Sequence, residues 1–232
     1  MEKEKAIQIG GKIKMVLNQS KIARLLPDFF YENKPFNFDL SVNNKNMPTF
    51  DMSTPRDFTE YINTTLLSSG LIWGMGGYGE KRDFYQASSN FINTEDARDI
   101  HLGLDLWVPV ETEIFAPLSG TIHSFQDNNK FLDYGPAIIL EHTINDVTFY
   151  TLYGHLSRES LIPLKDGMII NAGDKIATVG QSTVNGGWPT HVHFQIIGDM
   201  LNTRGDYPGV STTKDSEVYL NLCPNPEIIF KI

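Results

Sequence analysis

The stretch Thr190-His-Val-His-Phe-Gln-Ile196 decides the fold class, because its residues alternate between two chemical types. Its even-numbered positions are Thr, Val, Phe and Ile, and its odd-numbered positions are His, His and Gln. A period of two is typical of a β-strand. Side chains at i and i+2 share a face and lie about 6.5 to 7 Å apart along the strand. One of the two imidazoles is therefore placed to bind a metal ion, while the other faces the surroundings of that ion.

Two other fragments carry side chains of the same chemical type. The fragment His101-Leu-Gly-Leu-Asp105 also alternates, but a flat strand would separate its histidine from its carboxylate by about 13 Å, too far for one ion. We therefore predict a bend at Gly103, where a loop enters a strand. The run 147–155 alternates as well, and it ends at Tyr153-Gly-His155, which presents His155 at a strand end over a cleft.

Together the three fragments supply four histidines and one carboxylate, a set typical of a catalytic zinc site. Zinc that takes part in catalysis has three protein ligands and leaves a fourth position open. Two of the four histidines in the fragments are then not needed as ligands. An imidazole has an unperturbed pKa of about 6.5, so it transfers protons readily near neutral pH. The two remaining histidines, His123 and His142, lie outside the fragments and are predicted to be structural.

The order and spacing of the fragments resemble the M23 family of metallopeptidases, the lysostaphin- and LytM-like endopeptidases that cut peptide cross-bridges in bacterial cell walls. The family pattern is H-x-x-x-D, then Tyr-x-His-Leu-Ser, then H-x-H, and it is matched here at 101–105, 153–157 and 191–193. A fainter likeness is to M23-like modules beside a class III aminotransferase-like domain. That likeness is carried by Gly77-Tyr-Gly-Glu-Lys-Arg82, Gly205-Asp-Tyr-Pro-Gly-Val210 and Leu222-Cys-Pro-Asn-Pro226.

The resemblance implies which of the five side chains bind the metal. It implies a zinc ion (Zn2+) held by His101, Asp105 and His193. By the same resemblance, His155 and His191 are catalytic residues, one serving as a base and the other as a hydrogen-bond donor, in an order that stays open.

Three further residues are predicted to contact the substrate. Tyr153 shares a strand face with His155, and Gln195 shares one with the histidines of the H-x-H pair, although many family members have Glu there. Trp188 lies in the Gly-containing loop 182–189, which is expected to form one wall of a groove for an extended peptide. Arg82 is expected to be a solvated charge, with binding of a substrate carboxylate as the alternative.

The resemblance implies a zinc-dependent metalloendopeptidase that hydrolyses a peptide bond in peptidoglycan cross-links or stem peptides. Two alternatives stay open. One is a cytoplasmic amide hydrolase that acts on a soluble peptide or an amino-linked metabolite, and the other is a non-catalytic LytM-like adaptor. For the peptidase and for the amide hydrolase, the expected partner is a peptide or peptide-like substrate.

The predicted fold class is mainly β. It is an antiparallel catalytic domain of the LytM or lysostaphin (duplicated hybrid motif) type with a short, partly helical N-terminal region. Residues 1–72 are expected to be partly helical or irregular, with helical spacing over 11–32 and a short helix over 57–67. Residues 73–232 form the β-rich peptidase domain and its irregular C-terminal tail. We also hypothesise that the N-terminal region packs beside the cleft and restricts access to it.

Composition narrows the classes of partner. The net charge of −9 argues against nucleic-acid binding, which relies on Lys and Arg to neutralise phosphates. Cys223 is the only cysteine, so an intrachain disulfide is excluded. No stretch approaches the roughly 18 apolar residues of a membrane span. The first residues lack the apolar segment of a signal peptide, so a cytoplasmic location is expected if Met1 is the native start, and the cell envelope otherwise.

Overall fold

The computed structural model describes residues 1–53, 55–87, 92–93 and 96–230. The helices are α1 (Lys3–Gln19), α2 (Asp28–Tyr31), α3 (Arg56–Ser69), α4 (Ser216–Leu222) and α5 (Glu227–Phe230). The strands are β1 (Phe36–Asn37), β2 (Gly74–Gly76), β3 (Ile92–Asn93), β4 (Asp96–His101), β5 (Leu104–Trp107), β6 (Glu113–Phe115), β7 (Gly120–Asn128), β8 (Gly135–Ile144), β9 (Val147–Gly154), β10 (Ile169–Ile170), β11 (Lys175–Thr178), β12 (Val192–Ile197) and β13 (Val210–Thr212). Within these ranges, no helix is both long enough and apolar enough to cross a membrane.

The largest sheet has the strand order β1-β2-β5-β12-β9-β8-β7-β10. Its neighbouring strands run antiparallel, except that β1 and β2 are parallel. Strands β6 and β11 form a second sheet, and β13, β4 and β3 form a third. The predicted mainly β, antiparallel fold class is confirmed.

Strand β12 lies in the middle of the largest sheet, between β5 and β9, and all of its residues are buried. Val192, Phe194 and Ile196 belong to the main hydrophobic core. His193 and Gln195 alternate with them and lie on the other face, as the period of two predicts. The main core therefore holds one face of β12 in place and directs the polar residues away from it.

The N-terminal residues pack onto the β-structure. Helix α1 contacts α4 and β9, and β1 extends the largest sheet next to β2. Phe58 and Ile62 of α3 join a second hydrophobic cluster that includes Trp107 and Trp188. The predicted short helix is confirmed as α3. The division into two parts at residue 72 stays a prediction.

Two local predictions need correction. Helix α1 begins at Lys3, well before the expected start, because residues from Ala6 to Leu17 supply its buried face. The tail that was predicted to be irregular contains α4 and α5. These helices form because Leu222, Ile229 and Phe230 bury their side chains against the rest of the fold.

His142 lies in the interior of the largest sheet, fully buried. Its Nδ1 atom donates a hydrogen bond to the carbonyl of Ser119 at 2.9 Å, and its Nε2 atom lies 2.8 Å from the hydroxyl of Thr151. That hydroxyl lies 3.0 Å from the hydroxyl of Tyr153. Burial lowers the pKa of His142 to about 4, so the imidazole is neutral in the folded protein near neutral pH.

We expect His142 to make the fold sensitive to acid. Its folded-state pKa of about 4 lies below the value of 6.5 for a free histidine, so its stabilising contribution is complete above pH 6.5 and is lost as the pH falls toward 4. Urea unfolding of the metal-free proteins at pH 7 and at pH 5 measures this loss of stability. Between the two pH values, His142→Gln should lose about 2 kcal/mol less than the wild type. The control is His123→Gln, a partly exposed histidine whose pKa burial lowers less strongly, so this replacement should have a smaller effect than His142→Gln. Equal losses in His142→Gln and the wild type would contradict the prediction.

Candidate active site

The candidate site begins at the bend between β4 and β5. His101 is the last residue of β4, and the two strands belong to different sheets. The predicted bend at Gly103 is present, and a Cβ atom at this position would collide with the ring of His193. Pairing of β5 with β12 places Asp105 opposite His193. The bend and the strand register therefore bring three side chains to one place.

Three atoms converge there: Nε2 of His101, Oδ1 of Asp105 and Nδ1 of His193. The carboxylate oxygen lies 3.3 Å from the His101 nitrogen and 3.1 Å from the His193 nitrogen. The two nitrogens lie 3.1 Å apart. All three residues are buried, and their atoms are within reach of a single metal ion. These are the residues that the sequence predicts as metal ligands.

In the rings of His101 and His193, the hydrogen bond of one nitrogen shows that the other nitrogen carries the lone pair in the neutral form. Nδ1 of His101 donates to the carbonyl of Gly77 at 2.8 Å, and Nε2 of His193 donates to Oε1 of Gln195 at 2.9 Å. Burial and the Arg82 guanidinium lower the pKa of His101 to about 4, so this ring is neutral near pH 7. With both rings in the neutral form, two nitrogen lone pairs and one carboxylate oxygen therefore face one another.

Asp105 is the charged member of this group. Burial opposes its ionisation, but His101 and the Arg82 guanidinium hold the pKa of Asp105 well below its usual range. The carboxylate is therefore ionised inside the protein. Such a buried charge is stable only when cations or hydrogen-bond donors surround it.

Arg82 supplies one of those partners, and the expectation that it is solvated is wrong. Its side chain is only 2% exposed. Nη1 donates to Oδ2 of Asp105 at 2.8 Å and to the hydroxyl of Tyr85 at 2.7 Å. Nε donates to Oε2 of Glu80 at 3.0 Å. The guanidinium thus binds the carboxylate oxygen of Asp105 that does not face the two histidines.

His155 and His191 lie next to the three converging atoms, and their ring centroids are 4.2 Å apart. Nδ1 of His155 donates to the carbonyl of Asn185 at 2.9 Å, and Nδ1 of His191 donates to that of Pro189 at 2.6 Å. Nε2 of His191 is 3.7 Å from Oδ1 of Asp105. Burial lowers the pKa of both histidines, so both are neutral near pH 7 and each Nε2 is a proton acceptor.

The backbone of His155 adopts the left-handed conformation, with a φ of 63°. Residues other than glycine rarely do so, and surrounding contacts must hold them there. The N–H of His155 donates to the carbonyl of Tyr134 at 2.8 Å, and the ring of Tyr134 packs against Gly154. The turn at the end of β9 therefore changes the direction of the His155 side chain relative to the strand.

Tyr153 and His155 do not share a face, so that expectation needs correction. Tyr153 is fully buried in the main core, with its ring 5.3 Å from that of Phe194. Its hydroxyl lies 3.0 Å from the hydroxyl of Thr151. In this position Tyr153 contributes to packing, and the structure does not bring it to the cleft as a substrate contact.

Gln195 is also placed differently from its predicted role. It is fully buried, and its Nε2 atom donates to the carbonyl of Pro208 at 3.1 Å and to Sγ of Cys223 at 3.3 Å. These two bonds leave Oε1 to accept the hydrogen bond from His193. Gln195 therefore orients a candidate metal ligand and does not point into the cleft.

A cleft with a volume of about 520 Å³ opens beside the converging side chains. Trp188 lies in its wall, as predicted, with its ring 6.3 Å from that of His155. Phe58 and Tyr85 continue this wall, at ring distances of 6.5 and 6.0 Å from Trp188. Phe58 comes from α3, so the N-terminal region builds part of the cleft. It stays a prediction that the N-terminal region restricts access to the cleft. Contact of Trp188 with a substrate also stays a prediction.

Sequence analysis missed three contributors to this site: Arg82, Tyr85 and Phe58. Each lies upstream of the three motif fragments. The only signal was the stretch from Gly77 to Arg82, which belongs to the fainter family likeness.

These observations define a β-sheet protein with a buried cluster of two histidines and one aspartate, flanked by two more histidines in a cleft. Residues 99–204 match the model of peptidase family M23. This segment contains all five side chains, and the match confirms the resemblance to the M23 family that the three motif fragments indicate.

Comparison with solved structures finds similar but distant chains. A zinc-containing peptidase from Vibrio cholerae is 24% identical over 42% of this chain, with a TM-score of 0.35, and this chain spans 27% of its length. The catalytic domain of lysostaphin from Staphylococcus simulans is 19% identical, with 68% of this chain and 96% of that one covered and a TM-score of 0.41. A mutant catalytic domain of the prophage-encoded M23 protein EnpA from Enterococcus faecalis is 25% identical, with 53% and 94% covered and a TM-score of 0.37. No curated protein sequence matches this chain.

We expect Gly103→Ala to destabilise the protein, because the added Cβ atom would collide with the ring of His193 and crowd the carbonyl of Phe194. Overpacking of this kind lowers the free energy of unfolding by about 1 to 3 kcal/mol. The control is Gly11→Ala in α1, where a Cβ atom has no neighbour within 4 Å. That variant should gain about 1 kcal/mol, because alanine favours a helix. Urea unfolding measures both, and wild-type stability in Gly103→Ala would contradict the prediction.

Proposed function

We propose that the protein is a zinc-dependent metallopeptidase that hydrolyses a peptide bond. The observation that carries this proposal is the convergence of two imidazole lone pairs and one carboxylate oxygen, from His101, His193 and Asp105, in a buried site. Such an arrangement is repulsive without a cation between the three atoms. The other polar atom of each side chain is bound elsewhere, so the arrangement does not arise by chance from a mobile group.

The spacing of the three atoms suits zinc. Zinc–ligand bonds of about 2.0 to 2.1 Å in a tetrahedron separate neighbouring ligand atoms by about 3.3 Å. The separations here are 3.1, 3.1 and 3.3 Å. Two histidines and one carboxylate are also a ligand set of catalytic zinc, which keeps a fourth position open. When bound, zinc supplies a Lewis acid that polarises a carbonyl group and lowers the pKa of a water molecule.

His155 and His191 supply the proton transfers in this proposal. Both are neutral, and in each ring the hydrogen bond made by Nδ1 leaves Nε2 able to accept a proton. Their rings are too close together for both to carry a positive charge at low cost. One therefore takes a proton from the attacking water, and the other stabilises the oxyanion or the leaving group as a donor.

The substrate in this proposal is a peptide of the bacterial cell wall, in keeping with the resemblance of the three motif fragments. The cleft, with Trp188, Phe58 and Tyr85 in its wall, provides a surface for an extended peptide beside His155. The adaptor alternative is disfavoured because all five candidate side chains are present and converge.

Mass spectrometry of reaction products tests the proposal. Incubation with peptidoglycan fragments should yield products that differ by one added water across a peptide bond, and a chelator should abolish them. A set of soluble peptides in parallel distinguishes a wall peptidase from a hydrolase of soluble compounds. Asp105→Ala is the matched inactive control. Hydrolysis that persists in the chelator or in Asp105→Ala would refute a metal-dependent peptidase at this site.

A second prediction separates metal binding from turnover. Asp105→Ala and His193→Ala should lose zinc and all activity, because each removes a ligand atom. His155→Ala and His191→Ala should keep one zinc per chain and lose rate by roughly 10²- to 10³-fold, the usual effect of removing one transition-state stabiliser.

Elemental analysis and initial rates of the four variants provide the measurement. The double variant of His155 and His191 should be little slower than either single variant, since the two act on one reaction step. Zinc loss in His191→Ala together with zinc retention in His193→Ala would reverse the assignment. Full activity in His155→Ala would remove that residue from the mechanism.

A further inference from the structure

We infer that residues 77–85, the clamp segment, position two of the three metal ligands, and that Arg82 is a positioning residue for Asp105. The inference rests on the proposed function. The clamp segment lies upstream of residues 99–204, which match the family model.

The first contact of the clamp segment is with Asp105. Nη1 of Arg82 lies 2.8 Å from Oδ2 of that carboxylate, and both side chains are almost completely buried. The bond fixes the plane of the carboxylate and leaves Oδ1 toward His101 and His193. Asp105 is therefore held for contact with an ion through one oxygen only.

Arg82 is itself held in one orientation. Its Nε donates to Oε2 of Glu80, and its Nη1 also donates to the hydroxyl of Tyr85. The other oxygen of Glu80 accepts the N–H of Leu40 at 3.3 Å. The buried guanidinium has a carboxylate partner on each side, and its planar fork allows bonds in several fixed directions at once.

The second contact is with His101. The carbonyl of Gly77 accepts the Nδ1 proton of this histidine at 2.8 Å, which fixes the ring and leaves Nε2 for the ion. The backbone is held as well: the N–H of His101 donates to the carbonyl of Glu80, and the N–H of Gly79 donates to the carbonyl of His101, both at 2.9 Å. The clamp segment therefore orients both the ring and the main chain of one ligand.

Gly77 is the point where the two contacts meet. Its φ is 102°, which favours glycine, and a Cβ atom at this position would collide with Nη2 of Arg82. Gly70, which follows α3 and lies outside the clamp segment, has a φ of 70°, and its Cβ position has no neighbour within 4 Å. An alanine at either position strains the backbone, whereas only an alanine at position 77 displaces the guanidinium.

The pair Gly77→Ala and Gly70→Ala tests the inference in the full chain. Zinc affinity is measured by competition with a chromophoric chelator, and the melting temperature of the metal-free protein reports on the fold. Partners that orient metal ligands contribute about 10- to 100-fold to metal affinity, and we expect a loss of that size in Gly77→Ala. Gly70→Ala should bind zinc like the wild type at a similar cost in melting temperature.

Arg82→Lys provides the second measurement, because lysine keeps the charge but lacks the fork. Its zinc affinity should fall, and the visible absorption bands of its cobalt-substituted form should shift, since the carboxylate is no longer held to one oxygen. Tyr85→Phe, which removes a single bond to Arg82, should shift these bands in the same direction by less. It replaces Arg82→Lys as the test if that variant does not fold.

The outcomes separate this inference from the proposed function. A wild-type protein that binds no zinc would overturn both. Zinc binding by the wild type with unchanged affinity and unchanged cobalt spectra in folded Gly77→Ala and Arg82→Lys would overturn the inference alone. A rise in KM of Arg82→Lys with unchanged zinc affinity would also overturn it, because that result assigns Arg82 to substrate binding.

Discussion

The buried carboxylate of Asp105 is the interaction on which the site depends. Its negative charge lies inside the protein, where an unpaired ion is very costly. Three neighbours therefore approach it from different directions: Arg82 on one oxygen, and His101 and His193 on the other. Only the first carries a permanent positive charge. The other oxygen faces the two imidazole nitrogens, and this is the side on which the proposed metal ion would bind.

The frame around this carboxylate is built from parts of the chain that are far apart in sequence. The register of β5 with β12 sets Asp105 against His193, and the bend at Gly103 returns His101 to the same place. The left-handed turn at His155 then directs a catalytic candidate toward the cleft. These constraints act on main-chain geometry, so the donor atoms are positioned before any ligand arrives, which is what catalysis by preorganised groups requires.

Segments outside the family-matched part complete the site. Helix α3 contributes an aromatic side chain to the cleft wall, and the clamp segment contacts two candidate ligands. The N-terminal residues are thus part of the packing around the cleft, in addition to extending the largest sheet through β1. Their effect on access to the cleft is a separate matter from this structural contribution.

The sequence by itself determined the strand character of residues 190–196, the bend at Gly103 and the set of five candidate side chains. Alternation and glycine placement are local properties, and neighbouring residues are enough to reveal them. The tertiary structure alone decided the positions of Tyr153, Gln195 and Arg82. A left-handed residue turns the chain after Tyr153, distant carbonyl and thiol acceptors hold Gln195, and a carboxylate from another strand draws Arg82 inside. Those partners are distant in sequence, so no local pattern records them.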